Sequence, residues 1–278
     1  MSAVLFIIAT PIGNLDDISK RAIDTLTAVD LVAAEDTRHS QHLLSHFGLK
    51  KKMLSLHDHN EQDRVQQIIN VLDQGMSVGL ISDAGTPLIS DPGYKLVRGI
   101  IDAGFQVSPV PGASSIITAL CAAGLPTDSF TFHGFLSQKN AERISRLQQI
   151  STQSGTQIML ESTHRILRLL QQLHEVMPDA DVVLAKELTK RHENFIRGTA
   201  AQCEALLQQS PELQKGEFVV LLSNPVEQKS GLITEESERL LKILLKEMPL
   251  KVAVKLAVEI TGEKKNDLYQ LALQVSKN

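Results

Sequence analysis

The chain has 278 residues, with 28 lysines and arginines against 32 aspartates and glutamates, 4% aromatic residues, two cysteines and no tryptophan. That length gives room for about two domains with full cores, so no disulfide framework is required; Cys121 and Cys203 read as packing residues in a reducing cytoplasm. A net charge of −4 with few rings argues, taken alone, against a general nucleic-acid binder, and the apolar run Ala3 to Ala9 falls short of the roughly 20 residues a membrane span needs.

From the N-terminus, short apolar runs alternate with amphipathic stretches, the pattern of βα units around a mainly parallel sheet. Strands are predicted at Val4 to Ala9, Leu31 to Ala34, Met53 to Leu56, Val78 to Ser82 and Phe105 to Val110. Helices fall between them at Ser19 to Ala28, Thr37 to Phe47, Gln62 to Asp73, Tyr94 to Ala103 and Ser114 to Ala123. The segment GLPTDSF from Gly124 breaks this pattern, which bounds a first α/β domain at 1–123. A second α/β domain, 124–225, has strands predicted at Phe130 to His133, Thr156 to Leu160, Val182 to Ala185, Asn194 to Arg197 and Glu217 to Leu222. Its helices are Ala141 to Ile150, Ile166 to Val176 and Ala200 to Gln209. No helix fits between the third and fourth of those strands, so a hairpin and a mixed sheet are expected. A polar linker follows Pro225. Residues 232–278 read as three short helices, capped at Thr234, started by Pro249 and divided by Gly262, in the manner of a helix-turn-helix appendage. The expected class is α/β: two domains with an open parallel or mixed sheet each, plus a small C-terminal helical unit.

Three strand ends run into Gly/Pro-rich loops: TPIGN from Thr10, SDAGTPLISDPG from Ser82 and PGASS from Pro111. In an open α/β sheet, ligands bind outside the carboxyl ends of the strands, where helix N-termini and free amides converge, so three such loops outline a pocket. None matches GxGxxG or the Walker pattern, which removes support for dinucleotide and nucleoside triphosphate sites. A second set of segments is polar directly after a strand: AEDTRHS, LHDHNE, LESTHR and AKELTKRHE. Charged clusters at strand ends suit a cleft that orients a polar substrate, while Asp36 or Thr37 and Ser162 or Thr163 also stand where helix N-caps belong. His39, His42 and His46 recur at helical spacing, and His57-Asp58-His59 is a compact trio, yet nothing has the spacing of HExxH or paired cysteines; no metal is expected. The three helix histidines are expected on a partly exposed face.

Together, IATPIGNLDDIS from Ile8, AAEDTRHS from Ala33, LISDAGTPLISDPGYKLV from Leu80, VPGASS from Val110, LESTHR from Leu160, AKELTKRHE from Ala185, KGEFVVLL from Lys215 and KKNDLYQLAL from Lys264 resemble the tetrapyrrole methylase superfamily, the class III S-adenosylmethionine-dependent methyltransferases. They are similar to one branch of it, bacterial methyltransferases that act on a cytidine 2′-hydroxyl in the decoding region of 16S ribosomal RNA. The resemblance implies S-adenosyl-L-methionine folded between the two α/β domains. It implies donor contacts from Pro11, Gly85, Thr86, Ile89, Ser114 and Ser115, with Leu160 or Glu161 and Ala185 closing the site from the second domain. It further implies 16S rRNA in the small ribosomal subunit as partner and a homodimer; the cytoplasmic location and the absence of a membrane partner are expected from the cysteines and the short apolar run instead. Where the tetrapyrrole-modifying members carry a GGDP-type loop, this chain has Asp83-Ala84-Gly85-Thr86-Pro87, which argues against a porphyrin-type acceptor.

For transfer to a hydroxyl, a base within hydrogen-bond reach assists as the proton leaves. Glu35, Asp36, Glu161 and Glu187 are the carboxylate candidates and His164 the imidazole one; Glu161 and Asp36 are favoured as catalytic residues because each follows a strand on the cleft edge. Arg38, Arg165, Lys186 and Lys190 suit RNA phosphates. Between positions 246 and 265, Lys246, Lys251, Lys255, Lys264 and Lys265 outnumber Glu247, Glu259 and Glu263, so the appendage is expected to help hold RNA.

Overall fold

The computed structural model describes residues 3–57, 61–223 and 235–275. Compact packing divides the chain into two units, 1–224 and 225–278. Asp58 and His59 of the compact trio, the polar linker and the capping Thr234 lie outside the described residues.

The first unit opens with a five-stranded sheet. Its strands are β1 (Val4–Ile8), β2 (Leu31–Ala34), β3 (Lys52–Ser55), β4 (Val78–Ile81) and β5 (Gln106–Val110), in spatial order β3-β2-β4-β1-β5. Every pairing is parallel. Two-residue alternation divides the apolar side chains between the faces. On one, Ile8, Val32, Ala34 and Ile81 pack against α1 (Lys20–Ala28) and α2 (Thr37–His46). On the other, Leu5, Ala33 and Leu80 pack against α3 (Glu61–Asp73) and α4 (Tyr94–Asp102). Such double coverage explains why these strands read as nearly continuous apolar runs.

The second sheet contains β6 (Phe130–Phe135), β7 (Thr156–Ser162), β8 (Asp181–Lys186), β9 (Asn194–Gly198) and β10 (Glu217–Ser223), in order β6-β7-β10-β8-β9. β6 and β7 are parallel and the remaining pairs antiparallel, with β8 and β9 forming the expected hairpin. α6 (Asn140–Ile150), α7 (Ile166–Val176) and α8 (Ala200–Gln209) cover one face. The other face receives α5 (Ser115–Ala123), whose Ile116, Ala119, Leu120 and Ala123 pack on Ile158, Val183, Val219 and Leu221. A helix that leaves the first sheet and covers the second joins the two sheets into one packed body.

Cys203 is buried in α8 and its thiol is pushed up to about 11 by burial, as an inert packing residue should be. Cys121 corrects the expectation for its class. It lies on the exposed side of α5, because the apolar stripe that meets the second sheet runs through 116, 119, 120 and 123.

In the second unit, α9 (Glu235–Glu247), α10 (Leu250–Thr261) and α11 (Lys265–Val275) enclose a small core of Leu241, Val254, Ala257, Leu268 and Ala272. Gly262 ends α10 in the left-handed conformation, and Ser237 donates a hydrogen bond to Glu263 at 2.8 Å, tying the start of α9 to the turn between α10 and α11. Lys264 and Lys265 stand exposed at that turn. No helix among the described residues is long and apolar enough to cross a membrane.

Candidate active site

Parallel pairing brings the carboxyl ends of β4, β1 and β5, three adjacent strands, to one edge of the first sheet. The three Gly/Pro-rich loops therefore lie side by side. Thr10 and Gly85 exchange backbone hydrogen bonds at 2.9 and 3.1 Å, which clamps the first loop to the second. The Thr86 hydroxyl donates to the Ala113 carbonyl at 3.0 Å and clamps the second to the third. Leu88 and Ser90 hold φ of 73° and 72°, left-handed values that side-chain-bearing residues adopt only under constraint, and Glu187 and Thr189 do the same in the loop after β8.

The second sheet contributes the ends of β7 and β8 and the start of β10, which its antiparallel order collects at one end. Register places Leu160, Val219 and Ala185 in one cross-strand row and Glu161, Phe218 and Lys186 in the next. Between the loops and this end lies a cavity of about 260 Å³ whose lining includes Ile12, Ala84, Ser115, Leu160, Ala185, Leu188 and Val219, with Phe135, Glu161, Ser162, Glu217 and Phe218 also contributing. A second cavity, about 410 Å³, adjoins it through Ile12, Ala84 and Glu217, and is walled by Thr10, Pro11 and Gly13 of the first loop, by His39, His42, Leu43 and His46 of α2, and by Lys190. Both together fall within the range of roughly 300–1,000 Å³ usual for ligand sites.

Of the expected donor residues, Ser115, Leu160 and Ala185 line the first cavity and Pro11 lines the second. Gly85 and Thr86 support the wall through the clamps just described, Ser114 is the N-cap residue of α5, and Ile89 is exposed. Reading by motif passed over Leu188, Phe218 and Val219. The last two lie inside KGEFVVLL, at the start of β10, where alternation sends Val219 to the Leu160 row and Phe218 to the next.

Glu161 is buried, and its Oε1 accepts the Ser162 amide at 2.8 Å and pairs with Arg165 Nε at 3.1 Å. Its Oε2 is buried with no hydrogen-bond partner among the described residues. A buried oxygen in that state is an acceptor without a donor, and the side chain is closed off from solvent in the row of Phe218 and Lys186, the next one along from the Leu160 row. Arg143 lies behind it, also buried; desolvation lowers its pKa, with Arg165 and Arg168 adding and the Glu161 charge opposing. Asp36 has a different role. It caps α2, accepting the amides of Arg38 and His39, and the Arg38 guanidinium and those bonds hold its carboxyl below the usual range. It lines neither cavity.

The cations also separate. Arg38 is 91% exposed in its side chain and pairs with Asp36 at 3.2 Å. Lys190 stands at the second cavity, paired with Glu187 and Glu217 at 3.1 Å each. Arg165 and Lys186 depart from the expected phosphate contacts. Arg165 donates to the Leu136 carbonyl at 2.7 Å besides pairing with Glu161, and Lys186 is only 4% exposed because its place on β8 puts it in the buried row with Phe218. No group of three or more potential metal ligands occurs among the described residues.

Asp91, in the strained loop, is held with its carboxyl above the usual range, by burial first; a Ser82 hydrogen bond opposes the shift and Asp83 adds to it. A carboxyl whose folded pKa exceeds its unfolded one binds its proton preferentially in the folded state. At neutral pH it opposes folding, and the opposition disappears as pH falls below the unfolded value. Asp91→Asn is therefore expected to raise Tm by roughly 1–3 °C at neutral pH, allowing for solvent screening, and the gain should vanish on acidification in a pH series of thermal melts.

A parallel and a mixed sheet that meet over a cavity at their strand ends, with Gly/Pro loops on one side and the Leu160 row on the other, have the layout of an α/β transferase of the methylase type. The tetrapyrrole (corrin/porphyrin) methylase family matches residues 4–204, and the RsmI C-terminal HTH domain matches residues 232–276. The chain belongs to the tetrapyrrole methylase family and, within it, to the ribosomal RNA small subunit methyltransferase I family. The member from Pseudomonas aeruginosa is 48% identical over 279 residues, 99% of this chain and 98% of that protein; the member from Escherichia coli O157:H7 is 46% identical, covering 97% and 94%. Among solved structures, a diphthine synthase superposes with a TM-score of 0.61 at 16% identity, covering 80% of this chain and 90% of that one. A cobalt precorrin-4 methyltransferase gives 0.59 at 18%, covering 80% and 94%. At such identity these two show the fold alone.

Proposed function

We propose that the protein transfers a methyl group from S-adenosyl-L-methionine to the 2′-hydroxyl of a cytidine in the decoding region of 16S ribosomal RNA. Identity of 45 to 48% to ribosomal RNA small subunit methyltransferases I along nearly the whole chain carries the reading. The first cavity fits the donor in chemistry: apolar walls from Ile12, Leu160, Ala185 and Val219 suit an adenine ring, and the Ser115 side of α5 suits polar groups.

When bound, the donor supplies a sulfonium-activated methyl group. The chain's contribution is alignment in a dry cleft, where orientation alone is worth several orders of magnitude in rate. The clamped loops and the Leu160 row hold the site's walls in place before substrate arrives. Glu161 would serve as the base once its buried carboxylate turns to the cavity, taking the hydroxyl proton as the hydroxyl oxygen bonds to the methyl carbon; the carbon–sulfur bond breaks, its electron pair returns to sulfur, and the proton then leaves to water. Arg165 and the Ser162 amide keep Oε1 fixed and hold the carboxylate in place at the end of β7. Arg38 and Lys190, with Lys264 and Lys265 of the helical unit, hold phosphates. A homodimer acting in the cytoplasm is part of the same reading.

Labelled-methyl transfer to 30S subunits, naked 16S RNA and a small tetrapyrrole acceptor in parallel tests it. Label in RNA, located at a cytidine ribose, is the expected result; label in the small acceptor alone would overturn the assignment.

A further inference from the structure

We propose that the exposed face of α2, His39, His42 and His46, is the surface on which the RNA strand flanking the target ribose is seated, with Lys190 facing it across the groove. This rests on the ribosomal RNA reading above and adds to it the residues that engage the acceptor.

The three histidines and Leu43 repeat at the spacing of one helical face, and all four line the 410 Å³ cavity. The opposite side of α2 is fixed by burial of Ser40 and Leu44, so the helix cannot turn this face elsewhere. The cavity shares Ile12, Ala84 and Glu217 with the donor cavity, so a strand lying in it would present a ribose at the junction of the two.

The residue types suit that occupant. Unstacked RNA bases are recognised by ring faces and by hydrogen bonds to their edges, and imidazole offers both. The chain has no Trp and two Tyr, which makes these histidines a notable concentration of planar groups beside the donor site. His46 is steadied edge-on against Phe47, with ring centroids 4.8 Å apart and planes at 87°. Lys190 adds a cation whose position is set by Glu187 and Glu217. Metal binding is a poor alternative use, since no cluster of three potential ligands forms among the described residues.

The test is the triple substitution His39→Ala, His42→Ala and His46→Ala in the full chain, read by methyl transfer to ribosomal RNA and by calorimetry with S-adenosyl-L-methionine. Alanine keeps helix propensity, and far-ultraviolet dichroism checks the fold. The expected result is a rise of about tenfold or more in KM for the RNA, with kcat within about threefold and donor affinity within about twofold of wild type. An unchanged KM in the folded variant overturns the proposal. Should the alanine variant lose its fold, the triple Gln variant, which keeps polarity but removes the rings, carries the same expectation and the same power to refute. Absence of RNA methylation by the wild-type protein would instead remove the functional reading itself, an outcome distinct from a variant that matches an active wild type.

Discussion

Glu161→Gln is expected to lower the single-turnover rate of methyl transfer about a hundredfold at saturating donor, while donor affinity changes by less than about threefold. The substitution is nearly isosteric, and the amide oxygen can still accept the Ser162 amide, so the strand end keeps its shape. What it removes is the charge facing Arg165 and the proton-accepting character of Oε2, the atom left buried without a partner. Loss of one member of a buried pair leaves the other uncompensated, and Arg165 is shielded from the full penalty by its bonds to Leu136 and its partial exposure. A melt should therefore shift modestly. Asp36→Asn provides the contrast. Asparagine is as good an N-cap as aspartate, and Asp36 is engaged at the start of α2, so that variant is expected to keep a near-wild-type rate. Retention of the rate by Glu161→Gln, measured by rapid quench with bound donor, would exclude Glu161 as the base.

Most of the framework was legible in the sequence because it is written in short periods. The strands of the first sheet are buried on both faces and appear as apolar runs, and the hairpin of β8 and β9 followed from lack of room for a helix. The position of the three loops was legible for the same reason: parallel strands put their carboxyl ends on one edge. Less legible were properties that arise from pairing between distant segments. Lys186 looked like a surface cation in AKELTKRHE, and only its register with Phe218 of β10 shows that it belongs to a buried row. Arg165 looked free for phosphate in LESTHR, yet the carbonyl of Leu136, 29 residues earlier, and Glu161 occupy it. Likewise the histidines of α2 could be assigned to one face from spacing, but not to a groove shared with the loop after β8.

Gly85→Ala should reduce donor affinity by about tenfold, and a matched substitution elsewhere separates this from simple loss of stability. Gly85 has φ of 80°, and a Cβ added there would lie 3.2 Å from Cγ2 of Ile12, a residue that lines both cavities. Alanine in that conformation costs about 1–2 kcal/mol from the backbone alone. Gly48, which follows α2, has φ of 70° with nothing within 4 Å of the added carbon, so Gly48→Ala bears the backbone term without the contact. Both variants are expected to melt a few degrees lower, at roughly 2–4 °C per kcal/mol for a chain of this size. Only Gly85→Ala should also displace Ile12 and strain the paired Thr10 and Gly85 amides that join the first two loops. Calorimetry with S-adenosyl-L-methionine distinguishes the cases: wild-type affinity in Gly48→Ala and weakened affinity in Gly85→Ala locate the donor against Ile12. Equal affinities in the two variants would place it elsewhere, because a bound adenosine or methionine group in the first cavity cannot ignore a shift of the side chain that forms its wall.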